Sequence, residues 1–275
     1  MYSYIITEIV VHESAERMEG IMEETVFICE DSIEGILTGV YEAYELRKDH
    51  QTTHLQVGEN ENCRLFTVYH KVQADKEKSA KVLRTIYRRF GEEAYTQLCQ
   101  AMVSYDPAKA DAVYHTIVTG ISGSYRGRLM EHLSNRSVNK VFRLSRNTGI
   151  EIHHLLGFLR FKELQGGILL ARYRPKNDVT ALIMPHFADR LPREDFAIYD
   201  EGRSYYAVHP KGRQWYLVRG ELPFSEEQEA YSQQEAQYQA LYRHFCQTIA
   251  IQERKNMDLQ RNMLPLRFRK YMTEF

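Results

Sequence analysis

Glu151 and His154 stand three residues apart in a segment whose apolar residues recur with helical period, so a carboxylate and an imidazole share one face. Such a pair can orient a base or move a proton, and His153 adds a second imidazole beside it. His186 stands in the same relation to Asp189, within Pro185-His186-Phe187-Ala188-Asp189-Arg190. Asp200 closes an apolar strand in Ile198-Tyr199-Asp200-Glu201-Gly202-Arg203, where its carboxylate can face a cleft or start a turn. Histidine and carboxylate at these spacings can also ligate a metal, although caps, turns and ion pairs account for most such residues. Glu151, His153, His186, Asp189 and Asp200 are the candidate catalytic set.

Other chemistries are excluded by motif. There is no G-x-x-x-x-G-K-[ST] phosphate loop and no G-x-S-x-G nucleophile elbow, and glycine-rich 120–127 reads as a helix junction. The four cysteines, Cys29, Cys63, Cys99 and Cys246, form no C-x-x-C pair. They also lack the C-x-x-x-C-x-x-C spacing that cradles the iron–sulfur cluster of a radical S-adenosylmethionine enzyme. Reduced thiols in a cytoplasm are expected, with no cofactor and no resident metal. No window approaches the ~18 consecutive apolar residues of a membrane span. The N-terminus lacks the basic region of a secretory signal.

The net charge of −1 over 275 residues conceals a strong asymmetry. Residues 1–62 carry a balance of −11, whereas 122–176 carry +8 and 243–275 carry +4. Clustered cations can bind a polyanion inside a neutral chain, because field strength follows local density. The candidate phosphate-contacting residues are Arg126, Arg128, Arg136, Lys140, Arg143 and Arg160, with Arg254, Arg267, Arg269 and Lys270 in the tail. In the tail, aromatics interleave with these cations from Leu264 to Tyr271, a pattern that can follow phosphates and stack on bases. The competing reading docks the tail onto a sheet through Phe268, Tyr271 and Phe275. The acidic N-terminal region can face a partner or cover the chain's own basic surface.

The elements that must hold these residues are legible from periodicity. A short extension over 1–24 precedes a strand at Val26–Cys29 and a helix from Ile33 to about Arg47, with Asp31 and Glu34 resembling a capping box. A polar loop is expected over 48–62 and a second strand at Leu65–Tyr69. Val82, Ile86 and Phe90 mark one helix, Tyr95, Leu98 and Met102 the next, and Asp106-Pro107 a third start. The helix from Ser134 to Gly157 carries Arg136, Lys140, Arg143, Asn147, Glu151 and His154 as one polar stripe, with a possible bend at Gly149. Beyond it, Gly166-Gly167 joins two strands, a helix with Pro185 inside follows, and three further strands complete an antiparallel meander. Ser225 and Gln228 are expected to cap a long helix bearing Tyr238, Leu241, Phe245, Thr248 and Ile249 on one face. The class is α+β: a helical N-terminal half, a meander with an inserted helix, and a long C-terminal helix with a basic tail. Residues 25–275 read as one unit with parts 25–157, 158–219 and 220–275.

From Val26 to Phe275 the chain resembles a bacterial family of uncharacterised proteins described as DNA-repair or DNA-metabolism proteins. The resemblance rests on DSIEGILTGVYEAY at 31–44, GFLRFKE at 157–163, MPHFADRLP at 184–192, IYDEGR at 198–203 and the closing ERKNMDLQRNMLPLRFRKYMTEF. It implies a neighbouring radical S-adenosylmethionine protein as partner and a DNA context. In some members a uracil-DNA glycosylase domain follows; this chain resembles the stand-alone form. The leading expectation is a cytoplasmic accessory protein that binds nucleic acid and works with that partner. The alternatives are an enzyme acting on a base or phosphodiester through the His/Asp/Glu set, and an interaction scaffold without nucleic-acid contact.

Overall fold

The computed structural model describes residues 23–58, 64–221 and 231–275. Nearly all of the expected extension, Cys63 and the expected Ser225–Gln228 cap lie outside the described residues. Internal packing divides the chain after Asn147 into two compact units.

The first unit is built on β1 (Glu24–Cys29), which pairs in parallel with β2 (Thr53–Val57) on one side and β3 (Thr67–Lys71) on the other. A central parallel strand is covered on both faces, which is why Val26, Phe27 and Cys29 are all buried. β2 falls inside the stretch expected as a polar loop. Thr53 and Leu55 turn inward from it, and the polar residues between them dilute the alternation that would announce a strand.

Helix α1 (Ile33–Glu45) is capped by Ser32, whose Oγ accepts the Gly35 N–H at 2.9 Å; Asp31 does not serve as the cap. Gly35 and Gly39, one turn apart, let α1 approach β1 closely. A Cβ at Gly35 would lie 2.5 Å from the Glu30 carbonyl oxygen. One at Gly39 would overlap the Cys29 sulfur and come within 3.2 Å of Leu55. Helix α2 (Lys76–Met102) breaks at Gly91, with φ 85° and ψ 176°, into the two helices that periodicity marks. Helix α3 (Lys109–Ser122) starts just beyond Asp106-Pro107, and Asp106 accepts the Ala108 N–H at 2.9 Å. Asn135 receives the N–H groups of Ser137 and Val138 at the start of α4 (Arg136–Phe158), which continues through Gly149 as helix. Ile36, Leu37, Leu98, Met102, Val113, Ile117, Val138 and Val141 meet in this unit's core.

The second unit holds a five-stranded sheet in sequential order: β4 (Phe161–Glu163), β5 (Leu169–Tyr173), β6 (Phe196–Asp200), β7 (Tyr205–His209) and β8 (Tyr216–Arg219). It is not the expected all-antiparallel meander, because β5 and β6 run parallel. Helix α5 (Thr180–Arg190) returns the chain between them, as a parallel pair requires. Pro185 stays inside α5, whose Ile183, Met184 and Phe187 are buried. The C-terminal elements are α6 (Gln233–Thr248), capped by Ser232, then α7 (Met257–Met263) and α8 (Leu266–Arg269). Tyr238, Leu241, Phe245 and Ile249 of the expected apolar face are exposed. The fold class is α+β, as expected, and no helix of the described residues is long and apolar enough to cross a membrane.

Gly39→Ala should lower stability by about 1–3 kcal/mol, since overpacking must move Cys29 or Leu55. Urea denaturation checks this; an unchanged midpoint would contradict the close helix–strand approach.

Candidate functional site

In the first unit, β2, α3 and α4 place their polar side chains around one cavity of about 620 Å³. Its wall includes His54 of β2, Asp111 of α3 and Arg136, Lys140 and Arg143 of α4, with Arg64 from the segment before β3. The α4 residues step by four and three, so they fall on one face of the helix. Asp111 reaches across to β2. Its Oδ1 accepts the Leu55 N–H at 3.3 Å and lies 3.0 Å from His54 Nδ1. His115, one turn after Asp111, brings its Nε2 to 3.5 Å from the same oxygen. The three ligand atoms lie within 4.8 Å of one another, a group that could hold a metal ion.

Electrostatics follow from this contact. Burial alone would raise the Asp111 carboxyl, but hydrogen bonds from His115 and His54 outweigh it and hold the group well below the usual carboxylate range. The hydrogen bond to Asp111 raises His54 above the ordinary imidazole value against the opposing effect of burial. Lys140 is held by Asp106 at 2.6 Å and Arg64 approaches Glu24 at 3.5 Å. Arg136 and Arg143 are exposed and have no ion pair among the described residues.

Among the described residues no hydrogen bond or ion pair joins one member of the expected catalytic set to another. Glu151 is buried, not part of a solvated stripe. It accepts the N–H groups of Lys176 and Asn177 at 3.0 and 2.9 Å and the Asn177 amide at 2.7 Å. Arg267 completes the arrangement at 3.1 Å. No hydrogen bond joins Glu151 to His154. That imidazole packs on Phe158 and Phe268, and it is lowered chiefly by burial, with Arg267 and His153 adding to the effect. His153, His186 and Asp189 are exposed, and no hydrogen bond joins His186 to Asp189. Asp200 is fully buried and accepts from Gly202 N at 2.8 Å, Arg203 N at 3.2 Å and the Arg203 guanidinium at 2.9 Å. Burial pushes its carboxyl above the usual range despite these donors.

The remaining cations are largely paired within their own unit. Arg128 meets Glu93 at 3.2 Å, and Arg126 is exposed. In the second unit, Arg160, Lys162, Arg172 and Lys270 surround a smaller cavity of about 250 Å³ with Tyr231 and Tyr271. Glu274 holds Arg160 at 2.8 Å, and Glu201 holds Arg172 at 3.1 Å and Lys270 at 3.7 Å. The Arg269 guanidinium covers the Phe275 ring at 4.8 Å. Arg254 is exposed. Docking of the tail buries Phe268 and half-buries Tyr271, whereas Phe275 is exposed.

His54, Arg64, Asp111 and His115 escaped the sequence reading. The available signal was Asp111-x-x-x-His115, an i, i+4 pair on a helix, with His54 hidden in an unrecognised strand.

Glu151→Ala should cost about 3–5 kcal/mol, because it strips the partner from Arg267 and from two backbone N–H groups. Glu151→Gln should cost less. An unchanged unfolding midpoint for the alanine variant would argue against an anchoring role.

A family model described as a domain of unknown function (DUF4130) matches residues 107–274. The match takes in Asp111, His115 and the α4 cations, while His54 and Arg64 precede it. No curated protein matches the chain.

Proposed function

Since the chain belongs to the DUF4130 family, whose description names no reaction, we propose from its cationic cavity that it is a nucleic-acid-binding accessory protein of DNA repair or DNA metabolism. The observation that carries this reading is the convergence of Arg64, Arg136, Lys140 and Arg143 on one cavity, with Arg136 and Arg143 in no ion pair among the described residues. Cations that the fold does not neutralise are available to a polyanion. Along α4 the three cations span about 10 Å of helix axis. That matches roughly three nucleotide steps at about 3.4 Å per strand. Ser137 and Asn139 on the same wall add neutral groups that can hydrogen-bond phosphate oxygens.

A radical S-adenosylmethionine protein as working partner is supported by the resemblance of the sequence blocks alone. A reducing, cytoplasmic setting is supported by the free state of Cys29, Cys99 and Cys246. The enzyme reading through Glu151 and Asp200 loses support because both carboxylates are buried and committed to local donors. The second unit's paired cations suit the scaffold reading better than the first unit's do.

Arg136, Lys140 and Arg143 changed together to Glu should abolish binding to single- and double-stranded oligonucleotides across a salt series. Change of the three to Gln should reduce the slope of log K against log salt by about 2–3, as expected for three lost phosphate contacts. Unchanged affinity and slope in both variants would overturn the proposal.

A further inference from the structure

We propose that His54, Asp111 and His115 form a binding site for a divalent transition-metal ion of the zinc class at the wall of the cationic cavity. Two imidazoles aim at one carboxylate oxygen, His54 Nδ1 at 3.0 Å and His115 Nε2 at 3.5 Å. The two rings meet edge to face, 5.6 Å between centroids. A metal ion among the three ligand atoms would receive a lone pair from each imidazole and from the carboxylate.

The geometry suits this. Ligand atoms about 2.0–2.2 Å from a tetrahedral metal stand roughly 3.3–3.6 Å from one another. The observed separations from the Asp111 oxygen, 3.0 and 3.5 Å, lie close to that range, and all three ligand atoms lie within 4.8 Å of one another. The ligands sit on a strand and a helix that the Leu55 N–H to Asp111 bond already ties together at 3.3 Å. Two nitrogens and one oxygen select a borderline ion, since calcium and magnesium prefer oxygen throughout.

Three protein ligands are the number found where a metal keeps a position for an exogenous ligand. His54 and Asp111 both line the cavity with Arg64, Arg136, Lys140 and Arg143, so an ion held by them lies where an anion would enter. A single carboxylate leaves a divalent ion with net positive charge, and an anionic fourth ligand follows. Its identity as a phosphate oxygen rests on the nucleic-acid reading; the metal site rests on the His–Asp–His geometry alone.

The test uses the full chain, stripped with a chelator and equilibrated with Zn2+ by dialysis, the bound metal being counted by elemental analysis. One equivalent per chain is expected, with a chelator-reversible rise in melting temperature. His54→Ala and His115→Gln should each weaken binding about tenfold or more. Co2+ should give the visible absorption of a nitrogen-ligated site in the wild type, lost in both variants. Absence of stoichiometric binding, or histidine variants that both bind as tightly as the wild type, would overturn the site. The Arg136/Lys140/Arg143 to Gln variant separates the two readings: retained Zn2+ binding with lost DNA affinity supports both. Zn2+ binding in a wild-type protein without DNA affinity supports the metal site and removes phosphate as its fourth ligand.

Discussion

The first unit is organised around one carboxylate oxygen. Asp111 Oδ1 accepts a backbone N–H from β2 and faces an imidazole of the same strand, so a single side chain fastens α3 to the edge of the sheet. An edge strand exposes backbone groups that seek partners, and among the described residues β2 pairs with β1 alone. Asp111 satisfies one of those donors while its position in the first turn of α3 favours negative charge. With that turn fixed, His115 follows one turn later on the same face. Lys109, two residues before Asp111, points elsewhere, donating to the Ser104 carbonyl at 2.6 Å and pairing with Asp31. The chemistry of the cavity is therefore a consequence of how the helix is held to the sheet.

The second unit uses buried carboxylates for a different purpose. Glu151 draws the segment at Lys176 and Asn177, and Arg267 of the tail, onto the end of α4. Asp200 closes the turn after β6 by taking the N–H groups of Gly202 and Arg203. Arg203 in turn reaches the Lys176 carbonyl at 2.7 Å, so the two anchors share one loop. Carboxylates in such positions are costly to bury and are retained by the donors that surround them. Perturbation by burial thus marks structure here as readily as it marks function, and Asp200 illustrates it.

Much of the framework was legible because it depends on local pattern. The apolar run of β1, the two halves of α2 and the hairpin at Gly166-Gly167 all announce themselves within a few residues. β2 did not, since three of its five residues are polar and its partners in β1 lie 28 positions away in sequence. The parallel pairing of β5 and β6 was equally hidden, because only the return path through α5 decides it. The site divides in the same way. Arg136, Lys140 and Arg143 share a helix and could be grouped by spacing, whereas His54 joins Asp111 across 57 positions. Glu151 sat on the expected polar stripe, but its partners are Lys176, Asn177 and Arg267, which no local window contains.

The charge asymmetry of the chain has a local resolution in the described residues. Glu42 and Glu45 hold Lys78, Asp31 holds Lys109 and Glu24 approaches Arg64, so acidic residues of the N-terminal region neutralise cations of their own unit. A surface reserved wholly for a basic partner would leave these carboxylates free. Among the described residues the α4 face keeps cations without an ion pair: Asp106 covers Lys140, but no carboxylate pairs with Arg136 or Arg143. Exposed ion pairs contribute little to stability, so the fold gains nothing decisive by leaving these arginines bare or by covering them. Their freedom matters because of where they stand, on the wall that also carries two imidazoles and one carboxylate. Cations alone would make that wall a generic phosphate contact. Beside a metal-ligating group, they become the means of bringing an anion to an ion that lacks a fourth ligand.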